Sequence, residues 1–485
     1  MIRTHQRTSV RRCWAGGLAC ISVCILVSRL PGQQGSPYVY PAVAQSPVVE
    51  KLPDPFLRLD GRPRTNLPWQ APSPRRTAKK AINPPATPDA ANVVALVGGR
   101  LIDGRGGPPV DNAVVVVRGT TILTAGPRDS VVIPEGARKA DVSGMSILPG
   151  LIDSHFHSRN NVKMVVDYEL KHGVTSLRDP GHPFRFYDAV MQSDQTLPRV
   201  FLCGAHLDAH PPVWPDQAVV IRDANHARQT VYQHVDRGAS AIKVYFRLPL
   251  DHIKATCEAA HERGVLVTAH LELVDADKAI RAGVSGIEHV TSFGTALAEP
   301  QDAEHFKASI FADSSARKVL RHRLWAKMDF DSSPKVKSLL DTILKHKVFV
   351  SPTLSIFERR SGEKNATEED VRGFTNMMRF IDLCHEAGAK IVVGSHTRAP
   401  FAESGGAYQR ELELLTEVGL TPLEAIRAGT LYNAQFFGID DRLGTVEAGK
   451  TADLILIDGD PSMNIRVMRN IKHVMLNGIW VGETP

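Results

Sequence analysis

Two histidines, His155 and His157, close the run Leu148-Pro149-Gly150-Leu151-Ile152-Asp153-Ser154 with one residue between them. Neutral imidazole binds zinc and related divalent ions, so a close pair invites a metal reading. Alone it carries little, because half-buried histidines are common. Its setting matters more: alternation along a strand turns both rings to the same side. His270 closes Val265-Leu266-Val267-Thr268-Ala269, and His289 follows Gly286-Ile287-Glu288. Each singly reads as a hydrogen-bonded core residue, but four converging copies would be costly to bury with no ion to bind. Lys243 stands inside Ala241-Ile242-Lys243-Val244-Tyr245, where an unpaired ammonium is expensive. A lysine of lowered pKa can add carbon dioxide to form a carbamate; an outward lysine with its head in water is the plainer alternative.

Such residues meet only if a scaffold brings them together. From Leu148 to about Gly438, apolar strands alternate with helical stretches, the pattern of a parallel α/β fold. The candidate strands are 147–155, 174–178, 200–203, 241–245, 266–270, 286–290, 348–352 and 390–394. They predict a (β/α)8 TIM barrel over 148–438, a fold that gathers active sites at the C-terminal ends of its strands. Short β-branched runs before it, and 453–457 and 471–476 after it, predict a small composite β-sandwich from residues 92–147 and 439–485. The interval 298–341 exceeds a simple crossover and reads as a lid or as a solvated helix pair. His206 and His210 follow the third strand, while Tyr245 and Arg247 follow Lys243, which makes them candidate substrate contacts. Tyr245 and Arg247 could grip a carboxylate, although a packing tyrosine and a surface arginine explain them equally well. Asp179, after the second strand, is a candidate supporting residue.

Composition narrows the functional classes. With 485 residues, 43% hydrophobic and 23% charged, the chain suits one large barrel and a smaller domain. Its net charge is +6, but Arg3, Arg7, Arg11, Arg12 and Arg29 precede the first acidic residue, Glu50, so the body is near neutral. Nothing electrostatic favours nucleic acid or an anionic membrane as partner. The basic start runs into an apolar stretch from Trp14 to Val27, which predicts a signal peptide in residues 1–31 and a periplasmic or extracellular destination. Without cleavage the same segment would be an N-terminal anchor. Residues 32–91 are a Pro-rich linker. Cys203, Cys257 and Cys384, scattered through the body, read as packed thiols and not as a disulfide framework.

The segments 97–104, 148–157, 283–289 and 443–454, in order, resemble the amidohydrolase superfamily, most closely its imidazolonepropionase-like and prolidase-like branch. The resemblance runs from Asn92 to Val481. It implies a small-molecule substrate and a metal-dependent hydrolase of carbon–nitrogen bonds (amide, peptide-like or cyclic amide) acting through a metal-bound hydroxide. It also implies one or two divalent ions, zinc foremost. His155 and His157 would bind one ion, His270 and His289 the other, with Lys243, carboxylated by carbon dioxide, bridging them. A homo-oligomer is compatible with it.

The chain departs from that pattern on strand eight. Where the family has an aspartate, the sequence reads Val392-Val393-Gly394-Ser395-His396-Thr397. A histidine can take a proton near neutral pH but supplies no negative charge, which leaves the site one unit more positive. His396 is accordingly the candidate catalytic proton carrier. The alternatives are a phosphotriester or lactone hydrolase on the same metals, a catalytically impaired barrel, and a metal-free binding scaffold.

Overall fold

The computed structural model describes residues 80–330 and 333–485; the leader and most of the Pro-rich linker lie outside the described residues. Strand Val93–Leu101 pairs antiparallel with Val110–Arg118, which pairs with Thr121–Pro127. The same sheet takes in Met145–Pro149 and, from the far end of the sequence, Leu454–Asp458, Ile471–Leu476 and Ile479–Val481. Alternate residues Val94 and Leu96, Val115 and Val117, Leu454 and Leu456 bury one face of this sheet.

The middle of the chain is α/β with parallel sheets. Strands Leu151–Asp153, Val174–Asp179 and Arg199–Leu202 form one sheet. A second runs in the order Ala218–Val220, His206–Asp208, Ala241–Val244, Leu266–Ala269, Gly286–Glu288, Phe349–Ser351, Lys390–Ile391. Backbone bonds link the two on both sides: Ser240 N donates to Leu202 O at 2.8 Å, and Ser154 N to Val393 O at 2.9 Å. Most strands are buried along their whole length, as parallel strands covered on both faces must be. Helices cover them with apolar stripes: Ala227, Val231 and Val235 on Ala224–Asp236, and Ile253, Cys257 and Ala260 on Leu250–Glu262.

Two differences from the sequence reading have physical causes. The long run predicted over 147–155 breaks at Gly150, where a Cβ would meet Thr175 Oγ1 at 2.3 Å; Met145–Pro149 joins the antiparallel sheet and Leu151–Asp153 the three-stranded parallel one. The third loop contains two further strands, His206–Asp208 and Ala218–Val220, too short for a period to register. The interval 298–341 contains helices Pro300–Ala312, Arg317–Ala326 and Pro334–Lys345. Among the described residues, no helix is long and apolar enough to cross a membrane. Cys203, Cys257 and Cys384 are buried and free.

Candidate metal centre

Five imidazoles converge where the parallel strands end. The His155 ring stands 5.0 Å from His157, 4.7 Å from His289 and 5.1 Å from His396, and His270 lies 4.5 Å from His289. Burial holds His155, His157 and His289 well below the usual imidazole range and takes His270 to about 3 and His396 to about 4. Positive neighbours add to the effect; for His155 the largest is Lys243. All five are therefore neutral at neutral pH, the form that donates a lone pair to a cation.

Backbone strain and hydrogen bonds aim these rings. His289, Thr353, His396 and Thr397 all adopt positive φ (69°, 47°, 52° and 75°), which is costly for residues bearing a Cβ, and for threonine especially. The cost buys orientation: Thr353 Oγ1 meets His289 Nδ1 at 2.7 Å, and Thr397 Oγ1 accepts from His157 N at 2.8 Å. Asp153 Oδ1 accepts from His155 N at 2.8 Å and Ser395 N at 3.1 Å, tying the first strand to the last. Burial pushes Asp153 up to about 6, and burial plus the neighbouring Asp153 raises Glu169 well above the carboxylate range. These two buried carboxyls brace the centre from behind.

The donors fit a divalent ion. Tetrahedral nitrogen ligands about 2.0–2.1 Å from zinc stand roughly 3.3 Å apart. His155 Nε2 and His157 Nε2 are 3.1 Å apart. Ligand atoms of His155, His157 and His396 lie within 4.8 Å of one another, as do those of His155, Glu288 and His289, and those of His157, Asp179 and His182. His270 approaches differently. Its Nε2 stands 3.1 Å from Glu272 Oε1. Glu272, held down to about 2 against its own burial by Arg321, is ionised and accepts from that nitrogen when it is protonated, while Arg321 Nη2, 3.0 Å from the same atom, donates to it in the other tautomer.

Lys243 is fully buried, and burial lowers it to about 7. Its Nζ makes no hydrogen bond and faces Glu288 Oε2 at 3.4 Å. Glu288 also contacts His155 Nδ1 and accepts from Thr268 Oγ1 at 2.7 Å. This buried carboxylate was visible in the sequence only as the residue before His289. It sets a carboxyl group between Lys243 and His155.

The remaining candidates separate. His206 lies buried, its ring 4.5 Å from Tyr245, and its Nε2 has no partner. Tyr245 in turn stands 4.7 Å from His270. The structure leaves His210 exposed, with no ring contact to the cluster. Arg247 points to the inserted helices: its Nη2 donates to Phe311 O at 3.1 Å and lies 3.4 Å from Ile310 O, near the last turn of Pro300–Ala312. Asp179 accepts from Ser158 N at 2.8 Å and from His182 Nδ1 at 2.7 Å, and stands 3.8 Å from His157 Nδ1. Sequence reasoning missed His182, Glu272 and Arg321 as well as Glu288. Only the turn Asp179-Pro180-Gly181-His182 offered a local signal.

The model of the amidohydrolase family matches residues 146–481. The 5-methylthioadenosine/S-adenosylhomocysteine deaminase of Symbiobacterium thermophilum is 24% identical over 412 residues, covering 76% of this chain and 85% of that one. Among solved structures, a Xaa-Pro dipeptidase with bound methionine superposes with a TM-score of 0.61 at 21% identity, over 80% of this chain and 100% of that one. The ochratoxinase of A. niger gives 0.63 at 20% identity, over 81% and 96%. At these identities the solved structures speak for the fold, while the family match spans most of the chain and includes every histidine of the cluster. The chain belongs to the amidohydrolase family, and is a metal-dependent hydrolase of carbon–nitrogen bonds.

Proposed function

We infer that the protein is an exported enzyme, periplasmic or extracellular, that hydrolyses amide, peptide-like or cyclic amide bonds at a zinc centre. The observation that carries this reading is the set of five neutral histidines, three buried and two half-buried, around His155 Nε2 and His157 Nε2. In this reading the parallel sheets close into one (β/α)8 barrel over 148–438, supported by the bonds from Ser154 N and Ser240 N. Residues 92–147 and 439–485 form the composite β-sandwich, and residues 1–31 are the signal peptide.

His155 and His157 would hold one ion, and His270 and His289 a second. Lys243 would bridge them once carboxylated, and its lowered pKa supports that by exposing an amine lone pair at neutral pH. When bound, the ions would supply Lewis acidity toward the substrate carbonyl and a more acidic water. His396, neutral and stacked on His155, accepts the proton of the attacking water and returns it to the leaving nitrogen, giving an acid and an amine. His206 and Tyr245 would line the substrate side, their rings 4.5 Å apart and Tyr245 4.7 Å from His270.

A substrate panel tests the reading. N-acyl amino acids, dipeptides and cyclic amides should be turned over, with loss of activity on chelation and recovery with zinc. Matched lactones and phosphotriesters should be poorer by at least an order of magnitude in kcat/KM. Preference for the esters, or turnover that survives complete chelation, contradicts it.

A further inference from the structure

The outer ring nitrogen of His157 lacks a hydrogen-bond partner, and the carboxyl group facing it lacks one donor. His157 Nε2 lies 3.1 Å from His155 Nε2, so both rings turn that nitrogen toward one place. A neutral imidazole carries a single N–H, so a lone pair given from Nε2 puts the proton on Nδ1. His157 Nδ1 is a buried atom with no hydrogen-bond partner among the described residues. The acidic group that faces it is Asp179, whose Oδ1 stands 3.8 Å away.

Asp179 closes the strand Val174–Asp179 and is fully buried. A carboxylate offers about four acceptor positions, shared between its two oxygens. Ser158, the residue after His157, fills two of them at Oδ2, through its N at 2.8 Å and its Oγ at 2.6 Å. His182 Nδ1 fills a third, at Oδ1, at 2.7 Å. The fourth lies on the oxygen that faces His157 Nδ1, so the donor without an acceptor and the acceptor without a donor look at each other. Tyr187 Oη, also near Asp179, makes no hydrogen bond. The turn from 179 to 182 is what brings His182 back onto Asp179: Gly181 takes φ 123°, and a Cβ there would press on His206 Nδ1 at 3.3 Å. His182 is 2% exposed, stacked on Phe186 at 5.3 Å and edge-on to His157 at 5.1 Å. His157, Asp179 and His182 present ligand atoms within 4.8 Å of one another. The 2.7 Å contact of Asp179 with His182 is a hydrogen bond, shorter than the spacing of two ligands on one ion, so the trio supports the neighbouring centre and is not a further one.

We propose that Asp179 and His182 are positioning residues of the metal centre: Asp179 accepts from His157 Nδ1 and so directs Nε2 to the ion, and His182 fixes the Asp179 carboxyl group for that task. The proposal rests on His157 as a ligand, the part of the hydrolase reading that it deepens. A ligand ring held at its outer nitrogen keeps both its tautomer and its orientation, and loss of such a partner costs about 10- to 100-fold in metal affinity.

Zinc affinity of the full chain, measured by competition with a chromophoric chelator, reads the effect without recourse to turnover. Asp179→Asn should weaken zinc binding by about 10- to 100-fold. His182→Ala should weaken it less, and His182→Gln, which keeps a donor, should recover part of that loss. Tyr187→Phe, which removes the other hydroxyl near Asp179, should leave the affinity as it is. Made in a His157→Ala background, Asp179→Asn should have little further effect, because it acts through that ring, whereas a purely structural contribution would persist. Unchanged affinity in Asp179→Asn, an equal loss in both backgrounds, or a loss in Tyr187→Phe as large as in Asp179→Asn overturns the proposal. If His157→Ala binds zinc as wild type does, the ligand assignment is what fails, and the proposal falls with it. Where Asp179→Asn does not fold, zinc-loaded wild type decides: nitrogen NMR of labelled histidines should show His157 protonated at Nδ1, and a proton at Nε2 overturns the proposal.

Discussion

Replacing His155 with alanine is expected to strip the centre of its ion and to lower kcat/KM by on the order of 10³-fold, since Lewis-acid stabilisation supplies several kcal/mol and each tenfold in rate is about 1.4 kcal/mol. His155 presents Nε2 to His157 while Nδ1 faces Glu288, so one ring joins the first histidine pair to the buried carboxylate and Lys243. Its loss removes a ligand and leaves Lys243 and Glu288 next to a void. Metal content and turnover should fall together in His155→Ala, while an exposed histidine such as His346 replaced by alanine changes neither. If His155→Ala folds and keeps both its metal and its activity, the centre is elsewhere.

The second large effect is expected at His396. General acid–base groups contribute about 10²- to 10⁴-fold, so His396→Ala should lower kcat by that factor with KM little changed. His396→Asp should bind metal more tightly, because a carboxylate adds the negative charge that imidazole lacks. Competition with a chelator measures retention, and steady-state kinetics measure turnover. Full turnover in His396→Ala together with unchanged retention in His396→Asp would remove His396 from the mechanism.

The histidine pair was legible because strand alternation is local: the spacing of His155 and His157, and the apolar runs before His270 and His289, can be read from neighbouring residues. The alternation of parallel strands and helices was legible for the same reason. Glu288 was hidden by its neighbours, since a charged residue inside Gly286-Ile287-Glu288 looks like a strand end until Thr268, Lys243 and His155 are seen around it. Arg321 comes from an insertion whose register against the strands no periodicity encodes. The direction of Arg247 was not legible either: the carbonyls of Ile310 and Phe311 hold its Nη2 toward the inserted helix. The buried pair Asp153 and Glu169 joins a strand to the end of the following helix region, a contact that only the folded chain creates.

Elemental analysis of the purified full chain, coupled to turnover of an N-acyl amino acid, decides whether the histidine cluster is a divalent metal centre for carbon–nitrogen hydrolysis. One to two equivalents of zinc per chain are expected, removed by chelation in parallel with activity and restored with it. Protein that is folded, takes up no zinc, manganese, iron or cobalt when these are supplied, and hydrolyses its substrate unchanged would contradict it.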